Sequence, residues 1–191
     1  MSRILIVDKE IKRLIGQPSE ARVASFDAFV SARCRVLVLG SMPGTRSLAM
    51  AQYYAHPQNL FWPFMQEICG AGPALAYPER VLRLRASGIG VWDVLQQCER
   101  LGSLDSAIVA DSERPNDLVG LLMKHPSIRL LAFNGGKAMQ AYRRHVQPRW
   151  PAELSRRVDL LALPSTSPAN ASISRADKLA AWLRLRDYLN P

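Results

Sequence analysis

Short apolar runs alternate with longer amphipathic stretches along this sequence. Four of the runs are rich in aliphatic and β-branched residues and predict buried strands over residues 36–39, 89–94, 129–133 and 158–163. Between them, apolar residues recur with a helical period and predict helices over residues 59–70, 77–88, 115–124 and 137–144, with a last helix after Ser174. Because parallel strands need crossover connections, this alternation predicts an α/β fold: a three-layer α/β/α sandwich around a central, mostly parallel four-stranded sheet.

Residues that are favoured at helix ends mark the limits of two of the predicted helices. Asn59 is a favoured cap for the helix over residues 59–70, and Gly70 ends that helix. Ser174, with Asp177 three residues later, resembles a capping box for the last helix. Residues 1–24 have the weakest pattern; residues 11–15 predict a short helix there, and we assign the segment no function.

The length and composition suit one globular domain. With 191 residues, 48% of them hydrophobic, the chain can bury one full core, so we expect a single domain over residues 1–191, with residues 1–24 a less certain N-terminal extension. The apolar start is followed at once by Asp8, Lys9 and Glu10, which argues against a signal peptide or a membrane span. Three cysteines without a CxxC pair predict reduced thiols in a cytoplasmic protein.

The net charge points to a class of partner. There are 25 Lys and Arg against 16 Asp and Glu, a net charge of +9, which favours a polyanion, although a basic protein without such a partner also fits. Five arginines fall close together, at positions 143, 144, 149, 156 and 157, and guanidinium groups suit phosphate oxygens. We therefore expect the partner to be nucleic acid rather than a membrane.

Polar and glycine-rich segments stand at the ends of the predicted strands. They are GSMPG at 40–44, WD at 92–93, FNGG at 133–136 and LPSTSPAN at 163–170. Ligands of parallel sheets bind beyond the carboxyl ends of the strands, so we expect these four loops to converge on one cleft. Gly40 and Gly44 allow a ligand to approach bare backbone. The pattern GxxxxGK[ST] is absent, which argues against a nucleoside triphosphate.

Three segments together resemble the uracil-DNA glycosylase superfamily. They are GSMPG at 40–44, YYAHPQNLFW at 53–62 and LPSTSPAN at 163–170, and within the superfamily they are most similar to the hypoxanthine-DNA (deoxyinosine) glycosylase group. The resemblance extends over roughly residues 25–190 and includes GVWDV at 90–94 and FNGG at 133–136. The joint pattern is specific, whereas GSMPG alone is weak.

This resemblance implies a monofunctional DNA glycosylase of base excision repair. Such an enzyme flips a damaged base out of DNA into a pocket and hydrolyses its N-glycosidic bond, which leaves an abasic site. The reaction needs donors for the departing base and a positioned water for the sugar, but no metal or organic cofactor. The expected partner is DNA that contains a deaminated base, and we expect a monomer in the cytoplasm of a prokaryotic cell, with the chromosomal DNA.

The preferred base is inferred from Met42, where the sequence differs from the pattern of related uracil glycosylases. Mismatch-type uracil glycosylases keep an asparagine inside the first glycine loop to hold the attacking water, and here Met42 occupies that place. A thioether cannot hydrogen-bond water usefully, so the resemblance favours hypoxanthine as the substrate. Uracil and xanthine stay open as alternatives.

The resemblance assigns catalysis to Asn59. In the hypoxanthine group the comparable role is attributed to the asparagine of the YYAHPxN segment, which here is Asn59. An amide is not a strong base, so it would orient and polarise the water while departure of the base leads the reaction. Without the resemblance a helix cap is the better interpretation of Asn59, and the two functions are compatible. His56 is either a general base or a structural residue of the turn.

A second group of residues is assigned to the flipped base. Tyr54 matches the aromatic position on which the base stacks, with a half-buried core tyrosine as the competing interpretation. Asn134 has the donor and acceptor to recognise the base edge and Asp93 can contact a purine N–H, although a turn asparagine and a helix-capping aspartate explain them too. The full set of base-binding predictions is Ser41, Met42, Tyr54, Asp93 and Asn134. Phe61 and Trp62 are assigned to the core.

A third group is assigned to the DNA backbone. The second family motif pinches phosphates and enters the gap left by the flipped base, and small hydroxyl side chains with free N–H groups suit such contacts. The predicted DNA-binding residues are Gly44, Ser47, Ser165, Ser167, Pro168 and Asn170. Ala169 and Asn170 are small or polar, which makes them poor wedges between bases.

Two other classes of function stay open from the sequence. A hydrolase of free nucleosides or nucleotides explains the glycine loop and the serines but not the charge of +9. A non-enzymatic nucleic-acid binder explains the charge but leaves the polar and aromatic cluster without a purpose.

Overall fold

The computed structural model describes residues 22–189. In chain order its strands are β1 (Arg22–Ala24), β2 (Val36–Gly40), β3 (Ile89–Asp93), β4 (Leu95–Glu99), β5 (Arg114–Pro115), β6 (Leu130–Asn134) and β7 (Asp159–Leu163). Its α-helices are α1 (Thr45–Met50), α2 (Phe61–Cys69), α3 (Tyr77–Ala86), α4 (Leu118–Lys124), α5 (Gly136–His145), α6 (Ala152–Arg157), α7 (Arg175–Leu183) and α8 (Arg186–Leu189). The short helix predicted over residues 11–15 lies outside the described residues.

A four-stranded sheet forms the centre, in the order β3-β2-β6-β7, and every neighbouring pair is parallel. The register aligns the carboxyl ends of the strands, since Gly40 pairs with Asp93 and Asn134 pairs with Leu163. The polar segments that follow these strands therefore emerge along the same edge of the sheet. The parallel sheet and its four strands agree with the sequence prediction.

Alternating side chains of β2 divide the core into two layers. Leu37 and Leu39 pack in a cluster with residues of α4, α5 and α6, whereas Val36 and Val38 pack in a second cluster with residues of α2, α3 and α7. Because successive strand residues point to opposite faces, β2 must be apolar at both positions of its repeat. The three-layer sandwich predicted from the alternation is confirmed.

The second helix begins two residues later than the pattern suggested. The Asn59 Oδ1 atom accepts the Phe61 N–H at 2.9 Å, and Leu60 occupies the cap position of α2. Gly70 ends this helix with a φ of 71°, a left-handed conformation that glycine adopts without strain. The expected capping by the Asn59 side chain is thus present, but it acts from one residue further upstream.

A small antiparallel sheet, β1-β4-β5, was not expected from the sequence. Its strands are two to five residues long and lack a clear apolar alternation, so tertiary pairing rather than local pattern specifies them. Pro115 pairs in β5 instead of starting a helix, and α4 begins only after Asp117, whose side chain accepts the Gly120 N–H at 2.9 Å. The prediction of a helix from residue 115 was wrong at its start.

Other differences concern short elements. Helix α6 was not predicted, and the last predicted helix is divided into α7 and α8 around Arg184 and Leu185. Ser174 caps α7 by accepting the Asp177 N–H at 3.1 Å, as predicted.

Cys34, Cys69 and Cys98 are all free thiols. Between residues 22 and 189 we find no helix with both the length and the apolar character needed to cross a bilayer.

Gly90 in β3 provides a test of the packing around the sheet. A Cβ atom at this position would lie 2.8 Å from the Phe29 carbonyl oxygen and 2.9 Å from the Cys34 Sγ atom. We expect Gly90→Ala to lower the free energy of unfolding by about 1–3 kcal/mol, because the backbone of Phe29 cannot retreat without breaking its bridge to Val91. Denaturant unfolding followed by circular dichroism measures this change.

Gly136 is the matched control for that substitution. Gly136 is the first residue of α5, and apart from its chain neighbours and the backbone of its own helix no atom of residues 22–189 lies within 4 Å of a Cβ built there. Gly136→Ala should therefore leave stability unchanged or raise it slightly, since alanine favours the helix. Equal stability of the Gly90→Ala and wild-type proteins would contradict the close packing described here.

Candidate active site

A cavity of about 740 Å³ opens at the carboxyl ends of β2, β3, β6 and β7. The structure brings every predicted base-contacting, catalytic and DNA-contacting residue to its wall: Ser41, Met42, Gly44, Ser47, Tyr54, Asn59, Asp93, Asn134, Ser165, Ser167, Pro168 and Asn170. The expectation of a single cleft at the strand ends is met, and the individual roles of these residues stay predictions.

The arginines that the charge argument singled out lie elsewhere. Arg143 and Arg144 occupy the last turn of α5, a helix about 15 Å long, and neither of them lines the cavity. Arg157 has a structural role, because its guanidinium donates to the carbonyl groups of Leu122, Pro126 and Ile128. Arg46, exposed on α1, is the arginine that lines the cavity in the described part of the chain.

Asp93 forms a buried carboxylate in the cavity wall. It is 2% exposed and ends β3 beside Gly40, where a Cβ atom would lie 2.5 Å from the Asp93 Oδ1 atom. The Tyr53 hydroxyl donates to the Asp93 Oδ2 atom at 2.9 Å. Burial raises the pKa of Asp93 to about 7, well above its ordinary value, while the hydrogen bond from Tyr53 acts in the opposite direction. Burial therefore makes Asp93 a weaker acid than an exposed aspartate.

Tyr53 is itself fixed from several sides. Its main-chain N–H donates to the Tyr77 hydroxyl at 2.9 Å, and its carbonyl accepts the Trp62 indole N–H at 3.0 Å. Phe26 and Phe29 pack edge-on against its ring. The hydroxyl that holds Asp93 is therefore positioned by the aromatic core. Local sequence pattern does not reveal this role of Tyr53, because its contact with Asp93 spans 40 residues.

Tyr54 presents an aromatic face to the cavity. Its ring stacks on Phe61 with centroids 4.0 Å apart and 23° between the planes, so Phe61 supports it from behind. The backbone of Tyr54 has a φ of 56°, a conformation that is uncommon for a non-glycine residue. Its hydroxyl is buried beside the Asn134 side chain, and within residues 22–189 it makes no hydrogen bond of ordinary geometry. Burial raises the pKa of this hydroxyl above its usual range.

Asn59 and His56 shape the turn that leads into α2. The amide oxygen of Asn59 is held by the Phe61 N–H, while no hydrogen bond to its amide NH₂ group is found in the described part of the chain. The His56 Nδ1 atom accepts the Gln58 N–H at 3.2 Å, and the main-chain carbonyl of His56 accepts the Asn59 N–H at 2.9 Å. These contacts fit the structural interpretation of His56 and fix the Asn59 amide in one orientation.

Asn134 joins the end of β6 to the loop after β7. Its amide NH₂ donates to the Thr166 hydroxyl at 2.8 Å, and its amide oxygen accepts the Thr166 N–H at 2.9 Å. The Asn134 side chain also lies close to the buried Tyr54 hydroxyl. Asn134 therefore holds the loop in addition to any contact with a base, a role that the sequence analysis did not assign.

The loop over residues 165–170 is fixed by further contacts. The Ser167 N–H donates to the Ser165 hydroxyl at 3.2 Å, and the Ala169 N–H donates to the Ser167 hydroxyl at 3.3 Å. Lys178, buried in α7, donates to the Asn170 carbonyl. The serine hydroxyls thus organise the loop backbone, and each retains its own O–H as a donor.

Met42 and Ser47 are less accessible than their neighbours in the wall. Met42 is 6% exposed and packs in the same core cluster as Leu39 and Phe133, so it gives the cavity an apolar surface. Ser47 is also 6% exposed, and its hydroxyl accepts the Ala55 N–H at 3.2 Å. The predicted phosphate contact of Ser47 would have to use the remaining hydroxyl proton.

A segment after β4, residues 100–106, contributes residues that the sequence analysis missed. The Ser41 hydroxyl donates to the Asp105 Oδ1 atom at 2.5 Å. The Ser103 hydroxyl accepts the Thr45 N–H at 3.0 Å. The segment has no apolar period and its contacts with the glycine loop span about 60 residues, so no local signal was present to identify it.

Comparison with known proteins identifies a family that this chain matches and relatives that it resembles. The model of the uracil DNA glycosylase superfamily matches residues 28–186. A hypoxanthine DNA glycosylase of Methanosarcina acetivorans is 34% identical over 151 residues, which span 78% of this chain and 89% of that protein. A hypoxanthine DNA glycosylase of Methanosarcina barkeri is 34% identical over 114 residues, 59% of this chain and 71% of that protein.

A solved structure shares the fold. The solution NMR structure of a candidate uracil DNA glycosylase from Methanosarcina acetivorans superimposes with a TM-score of 0.72 at 31% identity. The match covers 88% of this chain and 98% of that one. The arrangement of sheet and helices described above is therefore common to both proteins.

The hydrogen bond between Tyr53 and Asp93 can be tested through the pKa of Asp93 in solution. Because the Tyr53 hydroxyl stabilises the ionised carboxylate, Tyr53→Phe should raise the pKa of Asp93 further above its present value of about 7. Carboxyl ¹³C NMR during a pH titration measures that pKa. Tyr142→Phe is the control, since it removes a buried tyrosine hydroxyl that has no partner in residues 22–189. An unchanged or lower Asp93 pKa in Tyr53→Phe would contradict the proposed hydrogen bond.

Proposed function

This chain belongs to the uracil DNA glycosylase superfamily, and we propose that it hydrolyses the N-glycosidic bond of deaminated bases in DNA, with hypoxanthine as the preferred base. The observation that carries the proposal is one cavity lined by a buried carboxylate, two oriented amides and a supported tyrosine ring. The names of two relatives, each 34% identical, support hypoxanthine as the base. The family suggested by the sequence motifs is confirmed.

Deamination of adenine changes the hydrogen bonding of the base edge in a way that a carboxylate can detect. Adenine presents an acceptor at ring nitrogen N1, whereas hypoxanthine presents an N–H there beside a carbonyl oxygen. The ionised Asp93 side chain only accepts hydrogen bonds, so it would bind the N1–H of hypoxanthine and disfavour adenine. Xanthine and uracil also carry such an N–H, which keeps them as alternative substrates.

Stacking on Tyr54 would hold the flipped base in the cavity. Phe61 fixes one face of the tyrosine ring, and the ring also lines the cavity. Stacking of a base on an aromatic ring tolerates different bases, so it supplies affinity, while the polar groups supply selectivity. The Asn134 amide lines the cavity, and its second N–H would be a donor suited to a carbonyl or ring nitrogen of the base.

Asn59 would position the attacking water. Its amide oxygen is held by the Phe61 N–H, so the side chain is oriented before the substrate binds. The amide cannot take a proton strongly, and the reaction would therefore proceed with departure of the base ahead of attack by water. The same Asn59 side chain would thus cap α2 and position the water.

The loops around the cavity would bind the phosphates on either side of the flipped nucleotide. Residues 165–170 present serine hydroxyls on an ordered backbone, and Gly44 and Ser47 line the same cavity. Arg46 is exposed at the same wall and adds a positive charge. These contacts position DNA without recognising its sequence.

A panel of substrates tests the proposed function. Duplexes with a single deoxyinosine, deoxyuridine, deoxyxanthosine or deoxyadenosine are incubated with the pure protein, and released base and abasic sites are quantified. We expect release of hypoxanthine to be fastest and release of adenine to be undetectable. Free deoxyinosine nucleoside, as a control substrate, should be hydrolysed far more slowly than deoxyinosine in DNA.

Each alternative predicts a different result in this panel. Faster release of uracil than of hypoxanthine would contradict the preferred base but not the glycosylase activity. Hydrolysis of the free nucleoside at the rate of the duplex would favour the nucleoside hydrolase. Salt-sensitive DNA binding without release of any base would favour the non-enzymatic binder.

Variants of Asn59 separate its two functions. Asn59→Ala should lower the rate of hypoxanthine release on the order of a hundredfold, because the water loses its positioning group. Asn59→Ser keeps an oxygen that can accept the Phe61 N–H but removes the amide, and we expect it to be nearly as slow. Single-turnover kinetics on the deoxyinosine duplex measure both variants.

Asp117→Ala serves as the control for loss of a helix cap. It removes the cap of α4, about 1 kcal/mol of stability, at a position that does not line the cavity. Its rate should match that of the wild type. Recovery of full activity in Asn59→Ser would show that Asn59 acts only as a cap.

A further inference from the structure

We propose that Leu104 is the wedge that enters the base stack of duplex DNA when the damaged nucleotide leaves it. This inference rests on the proposed glycosylase function. Leu104 lines the cavity, and 56% of its surface is exposed to solvent. Of the large apolar side chains that are exposed within residues 22–189, Leu104 is the one that lines the cavity.

The loop over residues 165–170, which also lines the cavity, lacks a side chain suited to this purpose. At the exposed tip of the loop over residues 165–170 stand Pro168 and Ala169, followed by the polar Asn170. An inserted wedge must be apolar and large enough to occupy the space between two base pairs, as leucine, isoleucine, phenylalanine and methionine are. Leu104 meets both requirements.

The segment that carries Leu104 is held by hydrogen bonds to residues 41–45. On one side, the Ser103 hydroxyl accepts the Thr45 N–H at 3.0 Å. On the other side, Asp105 accepts the Ser41 hydroxyl at 2.5 Å. Both neighbours of Leu104 are thus anchored by hydrogen bonds, while the leucine side chain itself remains largely in solvent.

A third contact fixes the start of this segment. Arg100 is 2% exposed, and its guanidinium donates to the carbonyl oxygens of Pro43 and Gly102. An apolar side chain on such an anchored segment enters DNA with little loss of conformational freedom, which favours binding. Exposure of leucine to water has no evident benefit in the free protein, whereas contact with unstacked bases would bury it.

Leu101 provides a matched control. It belongs to the same segment, is 73% exposed and does not line the cavity. Truncation of either leucine leaves the core intact because both side chains are exposed. Any difference between Leu104→Ala and Leu101→Ala therefore reports on position relative to the cavity.

The experiment compares single-stranded and duplex DNA that contain the same deoxyinosine. We expect Leu104→Ala to release hypoxanthine from the duplex about tenfold or more slowly than the wild type, but from the single strand within about twofold, because only the duplex must be unstacked. Leu101→Ala should match the wild type on both substrates. Leu104→Met, which keeps a large apolar side chain, should recover most of the duplex activity.

A fluorescence measurement follows the wedge without the chemical step. A duplex with 2-aminopurine next to the deoxyinosine should brighten when the wild-type protein binds, since unstacking relieves quenching, and brighten much less with Leu104→Ala at saturation. Equal loss of activity on both substrates, or no loss on the duplex, would overturn the wedge. Absence of activity of the wild type on both substrates would overturn the proposed function and the wedge with it.

Discussion

The close approach of Asp93 to Gly40 is the constraint on which the site depends. Parallel pairing of β2 with β3 places these residues side by side, and the 2.5 Å that would separate a Cβ at position 40 from the Asp93 Oδ1 atom leaves room only for glycine. No Lys or Arg within residues 22–189 forms an ion pair with Asp93. A buried carboxylate of this kind loses hydration, which explains its raised pKa and makes it a strong acceptor for a ligand N–H.

The other polar groups of the cavity are oriented by the fold before any ligand binds. The amide oxygen of Asn59 is held by the start of α2, and the amide of Asn134 is held by Thr166. Tyr54 is supported by Phe61. Groups that are fixed in this way need no reorganisation during a reaction, which is the main source of electrostatic stabilisation in enzymes. Stability of the loops and function of the site therefore depend on the same hydrogen bonds.

The sequence predicted the parts of the structure that follow from local pattern. Four buried strands, their alternation with helices and the convergence of their carboxyl ends could be inferred, because period and connection length determine them. The roles of Tyr53 and Asp105 could not, since both act through side-chain contacts across 40 and 64 residues. The arginine cluster was misleading because proximity in sequence does not place residues beside the cavity; Arg157 instead supports the segment before β6. The extent of the domain stays a prediction.

We propose that this cavity receives a flipped deaminated base. A crystal structure of the protein with a duplex that contains a non-hydrolysable deoxyinosine analogue tests it most directly. We expect hypoxanthine to be stacked on Tyr54, with its N1–H at the Asp93 carboxylate and a water at the Asn59 amide. A complex in which the base remains stacked in the duplex, or lies in the cavity with Asp93 facing no N–H of the base, would contradict it.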